Sequence, residues 1–214
     1  MNEITLCNVL PDVFSTRSGY HSDIWQQTVT LRRGATYLIE ASSGTGKSSL
    51  CSYIIGMRRD YSGVIAFDGH DIRNLSRRDW AELRQRHISL LFQELRLFPE
   101  LTAWENVQIK NLLTNHKPDS VIASWFEQLD IADKRDAKVG QMSFGQQQRV
   151  AMIRALAQPF DFLLIDEPIS HLDDDNARHM AQLLQAEAAA QGAAIVATSI
   201  GKHLPLTYER TFSL

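Results

Sequence analysis

The 214-residue sequence predicts an α/β protein: a mostly parallel sheet alternating with helices, an antiparallel β lobe at its N-terminal end and a helical lobe inserted into the core. Three observations carry that prediction. Short apolar runs alternate with helix-forming stretches, as in "ATYLIEA" before residues 47–57 and "FLLID" before residues 174–191. Turn residues divide the first third of the chain into short strand-like segments. Between residues 95 and 141, apolar positions recur instead at steps of three and four. The organisation expected is a single domain over 1–214, with 1–94 and 142–214 forming the core with its β lobe and 95–141 the inserted lobe.

In chain order, "NEITLCNV", "QQTVTLRRG" and "GVIAFDG" read as strands separated by turns such as Arg33-Gly34 and Asp68-Gly69. "ATYLIEA" reads as a buried strand that feeds "ASSGTGKSS", residues 41–49. "TAWENVQIKNLL" and "SVIASWFEQLDI" are the two helical patterns of the inserted lobe. "DDDNARHMAQLLQAEAAAQG" has acidic residues at its start, helix formers through its middle and Gly192 where a C-terminal glycine belongs. Ile195 and Val196 then lie in "AAIVATS", a buried strand that closes the core.

A phosphate cradle needs backbone N–H groups aimed at an anion, glycines where a side chain would block the approach, and a helix N-terminus behind them. Residues 41–49 hold these parts. Gly44 and Gly46 let the backbone close in, with Ser42, Ser43, Thr45 and Ser49 completing the loop. Lys47 can reach the β- and γ-phosphates, and the Ser48 hydroxyl can bind Mg²⁺. Ala41 stands where the usual pattern has glycine, but a methyl group at that corner is the smallest intrusion available. The competing reading is a Ser/Gly turn that contains a lysine. "FDFLLIDEPIS" then places Asp166 and Glu167 at the end of an apolar strand, where open α/β sheets bind ligands. Asp166 is suited to holding Mg²⁺ through water and Glu167 to orienting or deprotonating an attacking water. An ordinary acidic strand end is the alternative.

Bulk properties exclude other classes. Lys plus Arg minus Asp plus Glu is 22 − 25 = −3, which is not the basic excess that neutralises a nucleic-acid backbone. The two cysteines, Cys7 and Cys51, form neither a disulfide framework nor a metal knuckle and point to a reducing compartment. The N-terminal residues do not read as a secretory signal. No window approaches the roughly 18 consecutive apolar residues that span a bilayer. A soluble chain that docks onto a membrane protein is expected.

The block "MSFGQQQRVAMIRALAQPFDFLLIDEP" resembles the signature-to-Walker B segment of ATP-binding cassette (ABC) ATPases, and the resemblance extends over nearly the whole chain. "LLFQELRLFPELTAWENV" matches the Q-loop region with Gln93, and "ISHLDDDN" the D-loop. "GVIAFDGHDIRNLSRRDWAELRQRHISLLFQ" is most similar to the lipoprotein-release, macrolide-export and cell-division group. The resemblance implies a P-loop NTPase fold with a RecA-like core and a head-to-tail homodimer that sandwiches two ATP molecules with Mg²⁺. Ser143 and the Gly145 backbone would donate to the γ-phosphate of the partner's nucleotide, with a helix beginning near Gln146 adding its dipole. Gln93 would complete the metal shell. An aromatic, Phe14 or alternatively Tyr20, would stack on adenine; for Phe14 a core role competes with this. Arg96, Leu97, Phe98, Leu101 and Trp104 would meet a membrane permease, holding the chain at the inner face of the cytoplasmic membrane.

Three positions depart from the family pattern. They are Ala41, Phe144 in the signature, and Ser199 in "IVATSIGKH", where the family carries a switch histidine. A serine is shorter and lacks a titratable ring, so two functions follow from the resemblance: an ATP-hydrolysing motor, or a nucleotide-binding regulatory subunit with weak turnover. His203, in a following helical turn, and His171 in the D-loop are the histidines that could approach instead, with a surface position the competing reading for His203. The DNA-repair and chromosome-organising members carry a coiled-coil insertion for which residues 93–143 leave no room.

Overall fold

The computed structural model describes residues 1–16, 21–167 and 174–214. Tyr20, His171 and most of the D-loop lie outside them. Four strands, β1 (Glu3–Pro11), β2 (Thr28–Arg32), β4 (Tyr61–Phe67) and β5 (His70–Asp71), form an antiparallel sheet in the order β2-β1-β4-β5. The others, β3 (Thr36–Glu40), β6 (Ile88–Leu91), β7 (Phe162–Asp166), β8 (Ala194–Ser199) and β9 (Arg210–Ser213), form a parallel sheet in the order β6-β7-β8-β3-β9. The expected β lobe and parallel core are therefore both present.

β7 and β8 are buried along their whole length, as a parallel strand covered on both faces must be. Their side chains alternate between two cores. Leu163, Ile165, Ile195 and Ala197 face the core shared with α3 (Ala103–Asn111), α4 (Asp119–Gln128), α5 (Phe144–Leu156) and α6 (Asp174–Gln191). Phe162, Leu164, Ala194 and Val196 face the core shared with the antiparallel sheet, α1 (Lys47–Ile54) and α2 (Arg77–Arg86). The helical stretch near 95–141 is not a detached module: Ile122, Trp125 and Phe126 of α4 belong to the same cluster as Val150 and Ile153 of α5.

The structure corrects several expectations. The first helix ends at Ile54, short of residue 57, because Gly56 turns left-handed (φ 67) and the Met57 N–H donates back to Ser52 O at 2.8 Å. α5 starts at Phe144, before Gln146, since Ser143 caps it through a reciprocal pair of bonds with Gln146. β8 does not close the sheet; β9 adds an edge strand beside β3, and α2 and β6 have no counterpart among the sequence expectations. α6 and its Gly192 terminator, at φ 59, fall where they were expected. Among the described residues no helix is long and apolar enough to cross a membrane.

Candidate nucleotide site

β3 delivers the chain to residues 41–46, and its neighbour β8 anchors the corner through Ala41 N–H donating to Ser199 O at 3.1 Å. Gly46 caps α1 with φ 102, a conformation only glycine adopts without strain. A Cβ there would also lie 3.1 Å from both Phe14 and Trp25, so the loop is seated directly on those two rings. Trp25 Nε1–H donates to Thr45 O at 3.0 Å and Thr45 Oγ1 to Ser42 O at 2.8 Å, which fix the loop from beneath and within. Ser42, Ser43, Gly44 and Ser48 are exposed or half-buried on the upper side, where Ser43, Gly44 and Ser48 face a pocket of about 510 Å³.

The Lys47 ammonium is buried under this loop. It donates to Ala41 O at 3.3 Å and Ser42 O at 2.9 Å and pairs with Glu167 Oε1 at 3.3 Å. The other carboxylate oxygen of Glu167 accepts from Gln93 Nε2 at 3.2 Å. Three residues far apart in sequence thus converge on one wall of the pocket. Glu167 holds a left-handed backbone (φ 49) directly after β7, and its N–H donates to Thr198 Oγ1 at 3.3 Å. That hydroxyl in turn donates to Asp166 Oδ1 at 2.9 Å. Asp166 is buried and has no cation paired with it among the described residues, so one hard oxygen ligand for a divalent ion is present. No cluster of three or more His, Cys, Asp or Glu side chains could hold a metal among the described residues.

Other expected site residues fall elsewhere. Ser199 is 1 % exposed, its hydroxyl donates to Lys202 O at 2.5 Å, and it is not among the residues lining the pocket, where the exposed Ile200 stands. His203 does not reach in from a helical turn either, since the segment is irregular and the ring packs edge-on to Tyr208 at 5.5 Å, 3.9 Å from Glu40. This bears out the surface reading. Phe14 lies on the pocket wall but is only 7 % exposed, pressed against Gly46, and offers little free face for stacking. Its neighbour Val13, 64 % exposed, presents the open apolar surface there. Ser143, Gly145 and Gln146 lie outside this pocket. Sequence reasoning missed Val13, Arg58, Thr198 and Ile200; only Thr198 left a signal, as a hydroxyl residue near the end of the buried strand beside the carboxylate strand.

After β6 the chain passes from Gln93 to a second concavity. Leu95 (φ 57) and Arg96 (φ 49) are consecutive left-handed residues, and both of their carbonyls accept hydrogen bonds from the Arg154 guanidinium of α5. Beyond them a groove of about 200 Å³ is lined by Met57, Phe92, Phe98 and Ile109, with Arg84, Arg96, Lys110 and Arg154 around them and no carboxylate. None of the four cations has an ion-pair partner among the described residues. Burial pushes Arg154 down to about 10, and burial followed by repulsion from Arg154 and Arg84 lowers Lys110. Arg96 and Phe98 are exposed, whereas Leu97, Leu101 and Trp104 are half-buried.

A family model described as "ABC transporter" matches residues 25–170. The chain is 29 % identical, over 96 % of its length, to an ABC transporter ATP-binding protein of Mycobacterium tuberculosis, of which it covers 63 %. It is 32 % identical to the lipoprotein-releasing system ATP-binding protein LolD 1 of Chlorobium chlorochromatii, over 84 % of this chain and 75 % of that one. Among solved structures, the dimeric bacterial ABC transporter cassette MJ0796 superposes with a TM-score of 0.77 at 25 % identity, over 91 % of this chain and 87 % of that one.

Proposed function

This chain belongs to the ATP-binding cassette family, and from that premise we propose that it is the ATP-hydrolysing subunit of a transporter whose membrane permease is a separate chain. The observation that carries the reading is the convergence of Lys47, Gln93 and Glu167 on one pocket wall. Residues 42–49 take the phosphates, whose charge replaces Glu167 as the partner of Lys47. Glu167, so released, orients and deprotonates the attacking water. Ser48, Gln93 and Asp166 would hold Mg²⁺, which when bound neutralises charge on the β- and γ-phosphates.

Two copies close head to tail. Because Ser143 is the cap of α5, Gly145 sits in its first turn with an N–H that the helix does not use, available to a γ-phosphate of the other copy. The same family supplies a precedent in the dimeric cassette structures of MJ0796, one of them a post-hydrolysis state bound to ADP and Pi. Arg96, Leu97, Phe98 and Leu101, with the cationic groove beside them, are the docking face for the permease, which keeps the chain at the inner face of the cytoplasmic membrane. Four cations without a carboxylate favour a partner segment that is apolar and acidic.

The test is the oligomeric state of Glu167→Gln with MgATP, by size-exclusion chromatography with light scattering. A dimer that reverts to monomer on nucleotide removal is expected; a monomer at saturating MgATP would overturn the reading. A second reading, a regulatory subunit with slow turnover, is favoured by the Ser199 hydroxyl being turned onto Lys202 O. Under it Ser199→His raises turnover by about tenfold or more, whereas the motor reading requires substantial activity in the unmodified chain.

A further inference from the structure

Lys47 is not the only cation on the nucleotide pocket; Arg58 lines it too. We propose that Arg58 is a second nucleotide-binding cation, set to contact the α-phosphate. This inference rests on the nucleotide reading of the pocket and adds a residue that the phosphate-loop pattern does not contain.

The geometry follows from the turn after α1. Left-handed Gly56 reverses the chain, and Arg58 N–H donates to Ser52 O at 3.3 Å, so residues 57–60 fold back along the helix. The guanidinium reaches the first turn of α1, where its Nη1 donates to Ser49 Oγ at 2.8 Å. Its other edge grips both oxygens of Asp60, with Nε 2.9 Å from Oδ1. Asp60 O accepts from Asp12 N–H at 3.0 Å, which ties this turn to the segment bearing Val13 and Phe14. Arg58 therefore stands between the loop that cradles the phosphates and the apolar residues at the far end of the pocket. A nucleotide spanning those two ends passes its α-phosphate there.

The side chain is 44 % exposed, and three of its five N–H donors are engaged, leaving two for an anion. Asp60 fixes the fork and does not cancel its use, since an exposed pair of this kind is weak and a phosphate can share the guanidinium.

Calorimetric titration with Mg-ADP, Mg-AMP and the imido analogue of ATP tests this on the full chain. Arg58→Ala is expected to weaken all three by about tenfold, and Arg58→Lys to recover part of the loss, as a point charge without the fork. Asp60→Asn distinguishes binding from bracing: it breaks the pair but keeps the cation, so affinity should stay within about twofold of the unmodified chain. Unchanged affinity in Arg58→Ala, or an equal loss in Asp60→Asn, overturns the proposal. A loss confined to the triphosphate analogue overturns the α-phosphate assignment. If the unmodified chain binds none of the three, the nucleotide reading itself falls with it.

Discussion

Glu167→Gln separates the two jobs proposed for this carboxylate. Without nucleotide it is the counter-charge of Lys47 at 3.3 Å, with side-chain exposures of 3 % and 14 % for the pair. At an effective dielectric constant of about 20, two charges at that distance attract by about 5 kcal/mol before desolvation is counted. The net value of a charged hydrogen bond is about 1.5–3 kcal/mol. Lys47 keeps its two carbonyl acceptors, and the amide oxygen introduced by the substitution can still accept from Gln93. The loss should therefore be about 1–2 kcal/mol, lowering Tm by roughly 2–8 °C in a chain of this length. With ATP bound, phosphate oxygens replace the missing carboxylate and the gap should close, while turnover falls by about 100-fold or more. Thermal unfolding by intrinsic fluorescence, with and without ATP, and steady-state phosphate release read these effects. A Glu167→Gln chain as stable as the original without nucleotide would refute the claim that carboxylate and phosphate compete for Lys47. Equal turnover would refute the catalytic role.

Two other perturbations address the frame around the site. Gly56→Ala forces a side chain into a left-handed conformation, costing about 1–2 kcal/mol, and puts its Cβ 2.4 Å from the Trp80 ring. With crowding of about 1–3 kcal/mol added, the urea midpoint should drop by the equivalent of about 2–5 kcal/mol with its slope unchanged; an unchanged midpoint would show that the turn relaxes freely. Arg96→Glu reverses a charge on the groove, and turnover stimulated by a reconstituted permease should fall while nucleotide affinity of the isolated chain stays within about twofold. Retained stimulation would remove this groove from the docking face.

Much of this architecture is legible in residue types alone, because the constraints are local. Glycines at 44 and 46, a lysine and a hydroxyl at the start of a helix, and acids at the end of an apolar run each have a short-range physical reason. The helix over 174–191 is likewise announced by its own ends. What the sequence conceals is set by tertiary contact or by the orientation of single side chains. β9 carries a single buried residue, Phe212, and becomes a strand only by pairing with β3. The start of α5 depends on the Ser143–Gln146 exchange, and the direction of the Ser199 hydroxyl on a carbonyl three residues away. Arg58 and Val13 reach the pocket because segments from different parts of the chain meet there, a juxtaposition without a periodic signal.

The strap between Gln93 and Phe98 links the two ends of this chemistry. One end touches Glu167, the other borders the groove, and between them two left-handed residues are held by Arg154. Such residues each cost about 1–3 kcal/mol and persist only where their surroundings over-determine them. Under the docking proposed above, a partner that moved this strap would act on the residue that touches Glu167, and any effect on nucleotide affinity would pass through that contact. Equilibrium linkage makes that influence symmetrical: whatever factor docking applies to nucleotide affinity, nucleotide applies to docking. In that case the strap would be a two-way balance whose set point could be read from either side.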